Sequence, residues 1–271
     1  MTDNGARQLR EMFEEAREQN RAVLLPYLTA GIPDVDTSVE IFAAMAAAGA
    51  DGFEVGIPYT DPLMDGPVIM EAGEIAIRSG VTVDVALDVV TAIVAETNKP
   101  VLVMTYVNPV LRHGIDSFFA KVRVAGAAGV IIADLPADEA APFTSAAAAS
   151  DLGLALFAAP TTDDARLGVM IDADPVFVYA IAEVGVTGER TDASSNVAGL
   201  AERIRRISDV PVVFGVGIST PDHVASAARH GDGIIVGSAI VRRVLEASSP
   251  AGAVRDVGAF VGELVTATKR D

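Results

Sequence analysis

Val23-Leu24-Leu25-Pro26-Tyr27-Leu28 is the first of eight short apolar runs that recur along the chain. Runs of this length that are rich in β-branched or aromatic residues are typical of buried strands. The other seven predicted strands are Phe53–Ile57, Val101–Tyr106, Val130–Ala133, Leu154–Ala158, Val176–Ala180, Val212–Val216 and Gly233–Val236. Because apolar segments continue through the whole sequence, the pattern argues against long disorder.

Helical patterns separate these strands, at Val39–Ala48, Val83–Glu96, Ile115–Ala125, Asp138–Ala149, Asn196–Arg206 and Pro221–His230. A strand followed by a helix, repeated eight times in 271 residues, predicts an α/β protein. The expected architecture is a single (β/α)8 TIM barrel over residues 1–271, since this fold takes ~250 residues. A doubly wound sheet is disfavoured because Thr29–Pro33, after the first strand, lacks the motif G-x-G-x-x-G.

The spacing of the strands and the two ends of the chain predict four additions to a minimal barrel. The intervals after strands 2 and 6 are unusually long, which places long loops at the carboxyl ends of the strands. Active sites of barrels lie at that end, and long loops there are often lids. Residues 6–19 predict an extra N-terminal helix that covers the barrel bottom, and residues 250–268 predict a final helix that closes the rim.

Charge and composition exclude several classes of protein. The chain carries 37 acidic and 20 basic residues, a net charge of −17, which argues against binding to nucleic acids or anionic membranes. The absence of cysteine excludes disulfides and thiolate metal sites and fits a reducing compartment. Residues 1–20 are too charged for a signal peptide, and no apolar run reaches the ~20 residues of a membrane span. We therefore expect a cytoplasmic location.

Glu54 is the most informative single residue, because it interrupts a predicted strand that is buried on both sides. Ionised carboxylates are rarely buried without a partner, so one interpretation is a structural ion pair with a lysine or arginine inside the barrel. The other is a general acid and base, since burial raises a carboxyl pKa toward neutral pH.

The loop that follows, Pro58–Pro67, contains Asp61 and Asp65. Either aspartate alone fits a simple turn, because aspartate before proline or glycine favours turns. The position of the loop after Glu54 weakens that explanation. A second carboxylate could act across a bound substrate, with one group donating and the other accepting a proton.

Glycines at the ends of three neighbouring strands indicate a phosphate site. The three segments are Gly185–Gly188, Gly215–Ser219 and Gly237-Ser238. Glycine lets the backbone approach an anion, free N–H groups at a helix start bind phosphate, and barrels often place phosphate after strands 7 and 8. Each glycine pair alone is explained equally well by a tight turn.

The histidines do not indicate a metal site. His113, His223 and His230 have no metal-ligand spacing and none lies at a predicted strand end, so we expect surface or capping roles. The motifs H-E-x-x-H, P-loop and G-x-S-x-G are absent from the sequence. No metal is expected.

The segment Phe53–Pro67, FEVGIPYTDPLMDGP, closely resembles the signature of the tryptophan synthase α subunit family. The resemblance extends in order over nearly the whole chain. Further matching segments are Pro26–Gly31, Thr105–Pro109, Ala133–Pro136, Gly185–Gly188 and Gly237–Ala239. Members of that family cleave indole-3-glycerol phosphate into indole and glyceraldehyde 3-phosphate by a retro-aldol reaction that needs no cofactor.

The resemblance implies roles for particular residues. Glu54 would be the general acid and base, Asp65 would bind the indole N–H, and Tyr179 matches an active-site tyrosine. Positions that match the phosphate site are Gly188, Val216, Gly217, Gly237 and Ser238. Tyr27 and Met104 match positions that line the indole pocket. Thr187 matches a position in the lid, and Asp61 and Pro62 match positions that contact the partner. Val216 stands in place of an aromatic residue, and Glu183 stands where some members have arginine.

The resemblance also implies a partner, the tryptophan synthase β subunit, in an αββα heterotetramer. Pyridoxal phosphate would belong to that subunit, which would receive the indole through a tunnel. Three alternatives stay open at this point. They are another phosphate-binding barrel that acts on sugar phosphates, a non-catalytic regulatory subunit, and a free-standing lyase that releases indole. The Phe53–Pro67 signature argues against the first, and the two carboxylates with Tyr179 argue against the second.

Overall fold

A computed structural model describes residues 4–181, 193–215 and 217–270, with only the backbone of residues 193–197. Eight parallel strands form a closed barrel in which each strand pairs with its neighbours in sequence order and β8 pairs with β1. The strands are β1 Val23–Thr29, β2 Phe53–Gly56, β3 Val101–Thr105, β4 Gly129–Ile132, β5 Gly153–Ala158, β6 Val178–Ala180, β7 Val212–Phe214 and β8 Gly233–Val236. The predicted barrel and its eight strands are confirmed.

Helices surround the barrel and follow each strand. They are α1 Gly5–Glu18, α2 Val35–Ala47, α3 Pro67–Arg78, α4 Val83–Thr97, α5 Val107–His113, α6 Ile115–Val124, α7 Ala141–Ala149, α8 Asp164–Asp172, α9 Ala193–Arg205, α10 Pro221–Ala228, α11 Ser238–Glu246 and α12 Pro250–Thr266. Side-chain hydrogen bonds cap the first turns of several helices. The side chain of Asp34 accepts a hydrogen bond from the backbone N–H of Thr37 at the start of α2, and that of Thr82 accepts one from the backbone N–H of Val85 at the start of α4.

The structure corrects two details of the predicted helices. Most of the extra length after β2 forms α3, so the loop itself is only residues 57–66. Pro67 at the first position of α3 favours this helix start, because its missing N–H would have no partner there. The predicted helix Asp138–Ala149 is divided into a 3-10 turn, Ala137–Glu139, and α7. The second long loop, after β6, lies mainly in residues 182–192, outside the described residues.

The predicted N-terminal helix α1 closes the barrel bottom. Leu9 and Phe13 of α1 are buried and reach the lower interior of the barrel. A methyl group added at Gly129 would lie 2.9 Å from Leu9, and one added at Gly233 would lie 3.0 Å from Phe13. Glycines in the lowest interior layer therefore make room for the two apolar side chains of α1.

The predicted C-terminal helix α12 packs against α2 and α11 on the outside of the barrel. Val257, Val261 and Leu264 form its buried face. Among the helices that the structure describes, none combines the length and the apolar character needed to cross a lipid bilayer.

Candidate active site

Glu54 lies in the middle of β2, in the same layer of the barrel as Tyr27 of β1 and Leu102 of β3. Its side chain is only 3% exposed, and its Oε2 atom has no hydrogen-bond partner among the described residues. Within those residues, no lysine or arginine forms an ion pair with it. The structural ion pair that the sequence left open is therefore not found in the described part of the chain.

Burial raises the pKa of Glu54 from 4.5 to about 8, and the negative charge of Asp65 adds to the rise. A buried carboxylate loses the hydration that stabilises its charge, so the neutral acid is favoured. Glu54 consequently carries its proton at neutral pH and can donate it to a bound substrate.

Asp65 lies on the loop between β2 and α3, where its backbone N–H donates a hydrogen bond of 3.0 Å to the carbonyl oxygen of Pro62. Partial burial raises the pKa of Asp65 from 3.8 to about 6, while its interaction with the Tyr106 hydroxyl opposes the rise. Asp65 is therefore mostly ionised at neutral pH. The charge of Asp65 acts on Glu54, and the two predicted carboxylates have opposite protonation states at neutral pH, as a division of acid and base roles requires.

Two buried tyrosines line the same end of the barrel. Methyl groups added at Gly56 and Gly215 would collide with the rings and hydroxyls of Tyr27 and Tyr179, respectively, so each tyrosine occupies space that a glycine leaves free. Tyr179 also stacks on Phe157, with 4.7 Å between ring centroids. Burial is the main cause that raises the pKa of both tyrosines, so their hydroxyls stay neutral.

Met104 completes an apolar wall beside Glu54. It pairs in register with Gly56 and is 8% exposed. Two further residues of this site do not stand out in the sequence: Phe157, which stacks on Tyr179, and Tyr106, which interacts with Asp65. Alternation along β3 contained the signal for Tyr106, because residues 102, 104 and 106 fall on the interior face of a strand.

Three of the residues expected to bind phosphate fall within the described chain. Gly237 and Ser238 form the start of α11, and Gly217, with a φ of +78°, follows β7. The first N–H groups of a helix have no partner inside it and can bind an anion. An added methyl at Gly237 would lie 3.4 Å from Cδ1 of Tyr27, which places this helix start beside the Glu54 pocket. Gly188, Val216 and Thr187 lie outside the described residues, as does Glu183.

The loop after β2 presents an apolar surface at the barrel rim. Asp61 is exposed and Pro62 half-buried, and the adjacent Leu63 and Met64 are 80% and 54% exposed. A groove of about 800 Å³ runs between this loop and the helices α4 and α5.

The histidines are placed in structural roles. His113 at the end of α5 lies with Nδ1 2.8 Å from the carbonyl oxygen of Pro109, and the N–H of His223 donates to Thr220 at the start of α10. In the part of the chain that the structure describes, no group of three metal-binding side chains is close enough to hold an ion.

The fold and the paired carboxylates define an acid–base enzyme built on a (β/α)8 barrel. A family model described as the tryptophan synthase alpha chain matches residues 13–269. The tryptophan synthase alpha chain of Chloroflexus aggregans is 42% identical over 261 residues, covering 96% of this chain and 97% of the relative. That of Salinispora tropica is 43% identical over 250 residues, covering 91% and 93%.

Solved structures agree with the sequence comparisons. A chain of Mycobacterium tuberculosis tryptophan synthase superposes with a TM-score of 0.88 at 38% identity, covering 97% of this chain and 99% of that one. Tryptophan synthase subunit alpha from Legionella pneumophila gives a TM-score of 0.87 at 28% identity, covering 96% and 98%. The chain belongs to the tryptophan synthase alpha chain family.

Proposed function

We propose that Glu54 and Asp65 carry out the reaction of this family, the cleavage of indole-3-glycerol phosphate to indole and glyceraldehyde 3-phosphate. The chain is thus a lyase of tryptophan biosynthesis. The observation that carries the residue assignment is the buried, unpaired carboxyl of Glu54 in a barrel whose other interior groups are mostly apolar. A group so costly to bury is retained where its proton is used.

Glu54 supplies and recovers one proton in each cycle. The neutral acid protonates C3 of the indole ring, which makes that carbon a leaving group. The resulting carboxylate then takes the proton from the hydroxyl on the adjacent side-chain carbon. The oxygen forms the aldehyde C=O bond as the carbon–carbon bond breaks, and the bonding electrons return to the ring. Glu54 ends in its starting state, and no cofactor is required.

Asp65 acts on the other side of the ring. Protonation of C3 places positive charge on the indole nitrogen, and a carboxylate that accepts a hydrogen bond from that N–H stabilises the charge. The ionised state of Asp65 at neutral pH supports this role. Tyr179 lies beside Glu54 and confines the ring together with Tyr27 and Met104.

Backbone N–H groups bind the phosphate in this proposal, at the start of α11 and at Gly217. Gly188 and Val216 contribute further N–H groups, and Thr187 closes as a lid on Asp65. Ser238→Asp tests the site, because a carboxylate at the helix start repels phosphate while it stabilises the helix. We expect a higher KM with unchanged thermal stability, and an unchanged KM would contradict the placement.

The partner in this proposal is the β subunit, in an αββα assembly to which the β subunit brings pyridoxal phosphate. Asp61 and Pro62 make the contact, and the exposed side chains of Leu63 and Met64 support it because they extend the same surface. The product indole passes to the β subunit in the cytoplasm. A free-standing lyase is the alternative, and activity without a partner distinguishes the two.

The deciding experiment measures indole and glyceraldehyde 3-phosphate released from indole-3-glycerol phosphate, by the purified chain alone and with β subunit added. Equal amounts of the two products establish the cleavage. Slow release alone with a large rise on addition of β subunit supports the assembly, whereas fast release alone supports the free-standing enzyme. Glu54→Gln is the matched control and is expected to lower turnover at least ~100-fold. Release of neither product would refute the proposal.

A further inference from the structure

Tyr106 connects two strand-end loops at the active site. It follows β3 directly and is 2% exposed. Its hydroxyl accepts a hydrogen bond of 3.2 Å from the backbone N–H of Met64, and it interacts with the adjacent Asp65 closely enough to lower the pKa of that carboxyl. Both residues belong to the loop after β2, so one phenol group holds the backbone of that loop directly next to its reactive side chain.

A second contact ties the same loop to the helix after β3. The ring of Tyr59 packs on Tyr106 with 5.2 Å between centroids, and the side-chain N–H of Asn108 donates a hydrogen bond of 3.1 Å to the Tyr59 hydroxyl. The start of α5 is in turn fixed by Asp134, whose carboxylate accepts from the N–H of Val107 at 2.7 Å. The loops after strands 2, 3 and 4 therefore form one hydrogen-bonded unit.

Burial alone does not fix the loop that carries Asp65. Its segment Leu63-Met64 is largely exposed, and the backbone bonds within it are local, from Leu63 to Asp61 and from Asp65 to Pro62. Local turns leave the direction of the Asp65 side chain free relative to the barrel. The long-range bond between the Met64 backbone and the buried Tyr106 ring restricts that freedom, because the ring cannot move without opening the core.

We propose that Tyr106 is a positioning residue for Asp65, which it holds in the direction that meets the indole N–H. This inference rests on the proposed function, since it assigns a role in the same reaction. The contact of Tyr59 with Tyr106 supports the position of the phenol ring. Asp65 thus depends on a group from another strand for its geometry and for its charge.

The test is Tyr106→Phe, which keeps the ring and removes only the hydroxyl. We expect kcat to fall on the order of tenfold with little change in KM, because the loss concerns a group that acts in the transition state. Loss of the hydroxyl also raises the pKa of Asp65 further, so the acid limb of the rate profile moves upward by about half a pH unit or more. Both proteins are compared in melting temperature to verify the fold.

The other titratable groups that face the pair stay in place in this variant. They are Glu54 on β2, Tyr27 on β1 and Tyr179 on β6, with Asp134 after β4 near the Tyr106 ring. A shift in the acid limb is therefore assigned to Asp65, and ¹³C NMR titration of the aspartate carboxyls verifies it directly. The titration needs no substrate and so does not depend on turnover.

A double-mutant cycle separates positioning from a general structural role. In an Asp65→Asn background, Tyr106→Phe is expected to have little further effect on kcat, because Tyr106 acts through the carboxylate that is already gone. Tyr59→Phe, which keeps both rings and the hydrogen bond between Met64 and Tyr106, is expected to show a smaller loss. Additive losses in the cycle, or an unmoved acid limb and Asp65 titration, would overturn the proposal. If the wild-type chain itself released no indole, the proposed function would fail, independently of the NMR result.

Discussion

Glu54→Gln should stabilise the protein while it abolishes turnover. The variant replaces a buried carboxyl that can ionise with a neutral group of the same shape. The pKa of Glu54 is raised from 4.5 to about 8 by burial first and by Asp65 second. Because the folded state holds this proton more tightly than the unfolded chain, the contribution of Glu54 to stability is greatest below pH 4.5. It is lost as the pH rises through about 8.

The size of the effect follows from that pair of values. Each pKa unit corresponds to ~1.4 kcal/mol, and pH 7 lies about 2.5 units above the pKa of Glu54 in the unfolded chain. At pH 7 the unfolded chain gains free energy by ionising Glu54, whereas the folded chain does not. The free energy of unfolding is therefore about 3 kcal/mol lower than it would be without this ionisation. Glutamine does not ionise and avoids this cost. For a chain of this size the gain corresponds to a rise in Tm of roughly 6 °C.

The assay is denaturant unfolding of the wild-type chain and the variant from pH 6 to pH 9. The difference in free energy of unfolding should grow by about 2 kcal/mol between pH 6 and pH 8 and then level off. Asp65 titrates mainly below this window, between 3.8 and about 6, and is present in both proteins, so its contribution largely cancels in the difference. A difference between the two proteins that does not change with pH would refute the argument that Glu54 is buried and neutral.

Three further predictions concern activity and packing. The dependence of kcat/KM on pH should be bell-shaped, with an acid limb at about pH 6 from Asp65 and a basic limb at about pH 8 from Glu54. A profile that is flat across this range would contradict both assignments. Asp65→Asn should lower kcat by about 100-fold or more without loss of thermal stability, measured by indole release, and near-normal turnover would remove Asp65 from the mechanism. Gly215→Ala should lower both Tm and activity, because the added methyl collides with Tyr179. Gly262→Ala in α12, where nothing lies within 4 Å of the added methyl, should be neutral or stabilising by about 1 kcal/mol. Equal melting temperatures for the two alanine variants would show that the collision is relieved without cost.

The barrel could be predicted from sequence because its signals are local. Each strand is a short apolar run such as Phe53–Ile57, and the pattern repeats eight times. Helix α3 was missed because its sequence lies in an interval whose length alone suggested a loop, while Pro67 and the apolar face of residues 68–77 were the available signal. Because α3 and α4 both lie between β2 and β3, the missed helix left the number of strands unchanged and did not affect the predicted fold.

The active site likewise contains features that the sequence reveals and features that it does not. Glu54 could be found from sequence because a charged residue inside an apolar strand stands out against its neighbours. The hydrogen bond between Met64 and Tyr106 could not be found from sequence. The two residues are 42 positions apart and meet only when the barrel closes. Contacts between loops of different strands carry no periodicity, so only the folded chain reveals them.

The placement of the two carboxylates follows from what each must do. Glu54 lies on a strand, where the barrel fixes its position and excludes the water that would stabilise its charge, and this raises its pKa at a cost in stability. Asp65 lies on a loop, where partial exposure and the Tyr106 hydroxyl keep it ionised. If both lay on strands, both would be neutral at pH 7 and the indole N–H would have no anionic partner. If both lay on loops, neither would hold a proton for C3. One acid on the scaffold and one base on a loop that a buried phenol restrains is the arrangement that gives opposite charge states within one pocket.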